Sequence, residues 1–323
     1  MGTGITKPRT RHRGLNRGKG EANQNEINNN QEILDSYEST AERTSVTTRQ
    51  GKKINERRKN LEKILRKKLD IKDRHMFGSF TRGTMIGPLD EDSDTDVMFV
   101  LDEDKHGEWK DQKNGAKNCL RAVKRAIEND PRYKNTEVSI EQNVVSVKFS
   151  DFTVEIAPAF EHPLSDGYMI PDTHRKNSSW VRTRPKMYKK IFEATNKVHD
   201  GKLRKFTRLV KKWNEKSGKP LKSYHAELLV YKHFKNRARQ GDSLDDIAND
   251  FFESLPSDIR RTTRDPTTQE KIDRYMSSED KQKASKKAQK ARESIREAQK
   301  LREEGKIEEA KEELRTVYGK DFD

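Results

Sequence analysis

Asp94 and Asp96 flank Thr95 directly ahead of the apolar run Val97-Met98-Phe99-Val100-Leu101, fifteen positions after the serine of Gly78-Ser79. Residues i and i+2 of a strand point to one side, so this spacing places two carboxylates together at the mouth of a buried strand. Hard divalent cations bind such all-oxygen donor sets. The stretch Phe77-Gly78-Ser79-Phe80-Thr81-Arg82-Gly83-Thr84 adds a glycine that lets backbone approach a ligand closely. N–H groups at a turn or helix start there can face phosphate. Phosphate-facing backbone beside a divalent-cation clamp is what metal-dependent nucleotidyl transfer requires. An Asp-rich loop such as Asp90-Glu91-Asp92-Ser93-Asp94 is, by itself, an ordinary solvated turn; the compound spacing carries the reading.

A third acid lies in Phe152-Thr153-Val154-Glu155-Ile156-Ala157, where Phe152, Val154 and Ile156 alternate with Thr153, Glu155 and Ala157. The alternation turns Glu155 away from the packed side of its strand. The Gly-Ser, Arg-Gly-Thr and D-x-D arrangement resembles the nucleotidyltransferase superfamily built on the DNA polymerase beta core. That resemblance implies Glu155 as the third metal ligand, at a position where relatives more often carry aspartate. Ile170-Pro171-Asp172-Thr173, Trp180, Thr183-Arg184-Pro185, Leu209-Val210-Lys211-Lys212-Trp213-Asn214 and Leu221-Lys222-Ser223-Tyr224-His225-Ala226-Glu227-Leu228-Leu229 follow in order. Their order and spacing resemble the CD-NTase family of bacterial cyclic-oligonucleotide synthases, relatives of cGAS and oligoadenylate synthase. The likeness runs from about residue 50 through the closing Tyr318-Gly319-Lys320-Asp321-Phe322.

The resemblance implies an α/β (α+β) protein: a polymerase-beta-like lobe with a mixed sheet, a C-terminal helical lobe, and an active site in the cleft between them. It implies two Mg2+ ions, replaceable by Mn2+, on Asp94, Asp96 and Glu155. Gly78 and Ser79 would meet the beta and gamma phosphates, Lys211 and Ser223 the triphosphate, and Tyr224 a nucleobase; Arg182 and Arg184 would meet a second substrate. Nucleoside triphosphates, ATP or GTP, would be joined into a cyclic di- or trinucleotide in antiphage signalling of the CBASS type, with accessory proteins as partners. Two alternatives stand beside this: a template-independent RNA or tRNA nucleotidyltransferase of the CCA-adding type, and a binding scaffold that kept the fold. Ser223-Tyr224-His225 argues against the first, and three filled acid positions against the second.

Composition sets further bounds. Only 30% of the 323 residues are hydrophobic, so the core must be economical. The single Cys119 excludes an internal disulfide and any zinc site built from several cysteines. It falls in the helical stripe Ala116, Cys119, Leu120, Val123, Ala126, Ile127 and is read as a core residue. No stretch reaches the length of a membrane span and no apolar leader is visible, which gives the cytoplasm as the expected location. The net charge of +15 invites a nucleic-acid activator. The segment Lys52 to Lys68 carries nine Lys or Arg against Glu56 and Glu62, with Lys59, Lys63 and Arg66 among them and Ile54, Leu61, Ile64 and Leu65 for a buried stripe. A basic surface equally suits a triphosphate, and the activator is not favoured.

Three regions are expected. Residues 1–26 form a disordered basic and Asn-rich tail. Residues 27–170 form the nucleotidyltransferase lobe, opening with a short helix from Ile27 to Tyr37 whose face holds Ile27, Leu34 and Tyr37 with Ile33 beside them. In it, a strand pair runs through Val138 to Phe149 and Phe152 to Ala157. Residues 171–323 form the helical lobe, whose last helices, split at Gly305, pack back on the first lobe.

Overall fold

The computed structural model describes residues 15–91, 93–173 and 179–323. After helices α1 (Leu15–Arg43) and α2 (Thr48–Leu65), strand β1 (Ile71–Met76) leads into the short helix α3 (Gly78–Arg82) and strand β2 (Asp94–Leu101). Two single-turn helices, α4 (Glu103–His106) and α5 (Glu108–Asp111), precede α6 (Gly115–Glu128). Strands β3 (Glu137–Ile140), β4 (Val145–Lys148), β5 (Thr153–Glu161), β6 (Tyr168–Asp172) and β7 (Ser179–Thr183) complete a seven-stranded sheet of order β1-β2-β5-β4-β3, with β6 on β5 and β7 on β6. β2 runs parallel to β5 and the other pairings are antiparallel, so the sheet is mixed, as expected. Helices α7 (Pro185–Val198), α8 (Lys202–Lys216), α9 (Ser223–Asn236), α10 (Leu244–Arg260), α11 (Ser278–Glu303) and α12 (Ile307–Tyr318) follow.

Period decides which side of each element is buried. Val97, Phe99 and Leu101 of β2 and Val154 and Ile156 of β5 face Leu61, Ile64 and Leu65 of α2 and Cys119, Leu120, Val123 and Ile127 of α6. A fully buried side chain of this size contributes about 1.5–3 kcal/mol. α2 begins where the Thr47 side chain accepts from the Gln50 N–H and the Gln50 side chain accepts from the Thr47 N–H. This reciprocal cap satisfies two donors that the first turn leaves open. Cys119 is sealed in the core and burial pushes its thiol up. On the exposed side of α2, Lys59 and Lys63 face solvent, whereas Arg66 bonds Glu62 and the Ile71 carbonyl. Among the described residues, no helix is long and apolar enough to cross a membrane.

Several elements differ from expectation. The Val138 to Phe149 stretch is two strands, because Glu141 to Val144 closes a tight turn through a Glu141 N–H to Val144 carbonyl bond. The chain does not become helical at Pro171: β6 (Tyr168–Asp172) and β7 (Ser179–Thr183) pair antiparallel on the sheet. There Trp180 packs edge-on to Phe160 and donates to the Trp109 carbonyl. The helical lobe therefore begins at Pro185, whose fixed φ suits a first helical position.

The opening helix spans Leu15–Arg43, so residues 15–26, expected to be disordered, are its first turns; residues 1–14 lie outside the described residues. Extending a helix costs far less than starting one. Ile33, Tyr37 and Ala41 are its buried face, Leu34 is half-buried, and the Ile27 side chain lies outside the described residues. That face joins the helical core rather than the nucleotidyltransferase core. Tyr37 stands edge-on to Tyr318 and Phe322, and Lys205 Nζ lies 2.5 Å from Glu38 Oε2. The C-terminal helices, split at Gly305 as expected, likewise close on α8, α10 and α1. The small faces of Ala284, Ala288 and Ala291 let α11 lie close against α10, which is why they settle there and not back on the sheet.

Candidate active site

Parallel pairing of β2 with β5 sets Asp96 opposite Glu155 and Asp94 opposite Thr153. Neighbouring strands lie about 4.8 Å apart, so the Asp96 and Glu155 side chains stand side by side on the sheet face away from the α2–α6 core. Asp94 opens the same face and is exposed, while Asp96 and Glu155 are half-buried. Gly78 presses on this group from α3. Its φ is +74°, and a Cβ there would sit 1.7 Å from Asp96 Oδ2. Both conformation and space exclude any other residue. Ser79, half-buried, follows in the first turn, and its carbonyl accepts from the N–H groups of Thr84 and Met85.

The electrostatics of these acids are unfavourable by construction. Burial and the neighbouring Asp94 push Asp96 up to about 6, against the opposing pull of Arg82 and Lys211. Glu155 is pushed up to about 8, by burial first and then by Asp96, Asp94 and Glu141, with Lys222 opposing. Proton affinity this high measures how poorly the protein alone accommodates the charge. Cations relieve it. Among the described residues, no three acid, histidine or cysteine side chains already close on one point as a finished metal cage. The fit of divalent ions rests on the donor set, hard carboxylate oxygens of Asp96 and Glu155 at paired positions on one sheet face with Asp94 at its opening.

The helical lobe supplies the facing wall. Lys211 of α8 is buried, with Nζ 3.2 Å from Glu227 Oε2. Burial lowers its proton affinity and Glu227 opposes that, and its charge reaches Asp96. Ser223 is exposed in the first turn of α9. Tyr224 is half-buried, edge-on to Tyr188, and its hydroxyl donates to Asp265 Oδ2 at 2.7 Å. His225 is sealed and braces this corner, its ring nitrogens 3.0 Å from Tyr275 Oη and 2.9 Å from Thr263 Oγ1. The charge of Lys211 thus acts on Asp96, and that of Lys222, next to Ser223, acts on Glu155. Arg184 instead pairs with Asp166, and Arg182 lies on β7 opposite Met169.

Sequence reasoning gave no role to Glu227 or Lys222 and read Arg82 only as part of the Arg-Gly-Thr signature. Glu227 stands out only in retrospect, as an acid inside the run Ala226 to Val230 that is otherwise apolar. An acid in such a run needs buried partners, and the partners lie more than 140 residues away in sequence for Arg82 and Thr84.

A family profile described as Second Messenger Oligonucleotide or Dinucleotide Synthetase domain matches residues 32–196. A probable cyclic nucleotide synthase of Bacillus cereus is 28% identical over 216 residues, which cover 59% of this chain and 64% of that protein. A CBASS oligonucleotide cyclase of Escherichia coli, CdnC, is 26% identical over 197 residues, 58% of this chain and 60% of that protein. The chain therefore spans less than two thirds of the length of each of these relatives. In three dimensions it is similar to CdnC of E. coli MS115-1 solved with ATP, with a TM-score of 0.69 at 17% identity over 90% of this chain and 98% of that one. The complex of that CdnC with HORMA-deltaN gives a TM-score of 0.67 at the same identity and coverage. At such identity the likeness establishes the nucleotidyltransferase fold.

Proposed function

The chain belongs to the second messenger oligonucleotide or dinucleotide synthetase family, and on that premise we propose that it joins nucleoside triphosphates into a cyclic di- or trinucleotide signal. The observation that carries this is the register of Asp96 against Glu155, with Asp94 beside them and Gly78 in contact. Asp94, Asp96 and Glu155 would hold two Mg2+ ions, with Mn2+ as a substitute. Ions held there would supply Lewis-acid activation of a hydroxyl and charge stabilisation of a leaving pyrophosphate.

The chain's own groups would do the rest. Gly78 leaves room for the beta and gamma phosphates beside the acids, and Ser79 offers a hydroxyl there. Ser223, exposed at the start of α9, would face the triphosphate, and Lys211, buried against Glu227, would act on it through its charge. Tyr224 presents a ring held in place by its hydroxyl bond to Asp265, which suits stacking on a base. The CdnC structures with ATP and with HORMA-deltaN support a triphosphate substrate and an accessory-protein partner of this kind. The relatives favour this synthase reading over the tRNA-extending one.

The test is to incubate purified protein with labelled nucleoside triphosphates and Mg2+ or Mn2+, treat with phosphatase, and identify the resistant species by mass. A phosphatase-resistant small oligonucleotide is the expected product. Elongation that appears only when tRNA is supplied would move the protein to the CCA-adding class.

A further inference from the structure

Segments far apart in the chain meet on one carboxylate. Glu227 on α9 is fully buried. Its Oε1 accepts from Arg82 Nε at 2.5 Å, and its Oε2 accepts from Thr84 Oγ1 at 2.6 Å and from Lys211 Nζ at 3.2 Å. Arg82 and Thr84 end the segment that begins at Gly78, and Lys211 comes from α8. Two further arginines of α8 grip the same segment by its backbone. Arg204 Nε donates to the Arg82 carbonyl at 2.7 Å and Arg208 Nη1 to the Gly83 carbonyl at 2.8 Å.

A carboxylate sealed from water persists as an ion only if its partners outweigh the lost hydration. Here they do: burial pushes Glu227 up, but Arg82 and Lys211 bring it down to about 2. Tyr224 lies one turn earlier on the same helix, so Glu227 and the ring share a face of α9. The Arg82 guanidinium, in turn, lies 5.0 Å over the Tyr188 ring and 5.9 Å over that of Tyr224. One ion therefore fixes where the first lobe's Gly-Ser segment sits against the second lobe's aromatic wall.

We propose that Glu227 is a positioning residue that locks the Gly78–Thr84 segment onto α8 and α9 and so sets the spacing between Ser79 and Tyr224. Its effect on catalysis rests on the nucleotide-site reading of this cleft. Glu227 also keeps Arg82 and Lys211 from turning to Asp96, on which both charges act.

The test is hydrogen exchange of the full chain as wild type, E227Q and T84V, without nucleotide, followed by KM and kcat for ATP. E227Q keeps the side-chain size and removes the charge; T84V removes one of the three donors. Amides of residues 79–85 should exchange about tenfold faster or more in E227Q while those of α10 keep wild-type rates, because only the local opening is made easier. T84V should change the same amides by less, and KM should rise in the same order with a smaller change in kcat. Unchanged exchange at 79–85 in either variant overturns the proposal, as does acceleration in E227Q spread evenly through α10. Should E227Q fail to fold, the T84V exchange decides alone. A wild type that makes no product would overturn the functional reading and leave the exchange data to judge Glu227.

Discussion

Glu155 and Glu227 are both acids drawn out of water, yet they are displaced in opposite directions, Glu155 up to about 8 and Glu227 down to about 2. Burial raises both, so burial is not what separates them. Company is. Around Glu155 stand Asp96, Asp94 and Glu141, with Lys222 as the opposing charge, whereas Glu227 holds Arg82, Lys211 and Thr84 in direct bonds. The sheet side of the cleft is left electrostatically incomplete and the helical side is finished. An incomplete set can be completed by cations and substrate, and a finished one can hold the parts in register.

If the incomplete set is the reacting centre, removing its charge must be the most damaging change. Asp94 and Asp96 changed together to Asn keep size and lose two charges, so product should vanish while circular dichroism and melting stay cooperative. Product at the wild-type rate would remove these acids from the active site.

Gly78→Ala attacks the same set through shape. The added methyl meets Asp96 Oδ2 and the backbone must hold φ +74°. Misplacing one acid on this scale should lower kcat by about 100-fold with the fold kept. A loss below threefold would mean that Asp96 relaxes without consequence.

On the finished side the effects should be smaller. Tyr224→Ala removes a stacking contact of about 1–3 kcal/mol and should weaken nucleotide binding roughly tenfold or more. Tyr224→Phe keeps the ring and loses only the bond to Asp265, about 1 kcal/mol, so its binding should lie between the two. Equal loss in both variants would assign the role to the hydroxyl.

The subtlest outcome is a gain. Because burial and the neighbouring acids push Glu155 up from 4.5 to about 8, its contribution to metal-free stability should fall as pH rises between those values. With chelator present, Glu155→Gln should melt above wild type, by an amount that grows from pH 5 to pH 8 at about 2–4 °C per kcal/mol. Added Mn2+ should close or reverse the gap. A gap that is constant with pH would show that Glu155 is already neutralised within the protein.

Much of this cleft could be read from local pattern. Asp94 and Asp96 on one side of a strand, Glu155 on the open face of another, and the buried stripes of α2, α6, α8 and α10 all follow from periods of 2 and 3.6, which short stretches of chain contain in full. The caps at Thr47, Ser243 and Ser277 are equally local. Other readings failed where the deciding partner was distant. The β6–β7 pair is held by Phe160 and Trp109, and α1 by Tyr318, Phe322 and Lys205. No window around Pro171 or Ile27 includes those residues.

The amino-acid order thus settled which residues could bear charge toward a ligand and which would face a core, because alternation along one strand or helix is a property of adjacent residues. It did not settle that Asp96 would stand beside Glu155, or that Glu227 would find Arg82, Thr84 and Lys211. Those pairings depend on strand register and on two lobes closing together. The energy of a buried charge is decided by whichever groups the closed chain places around it.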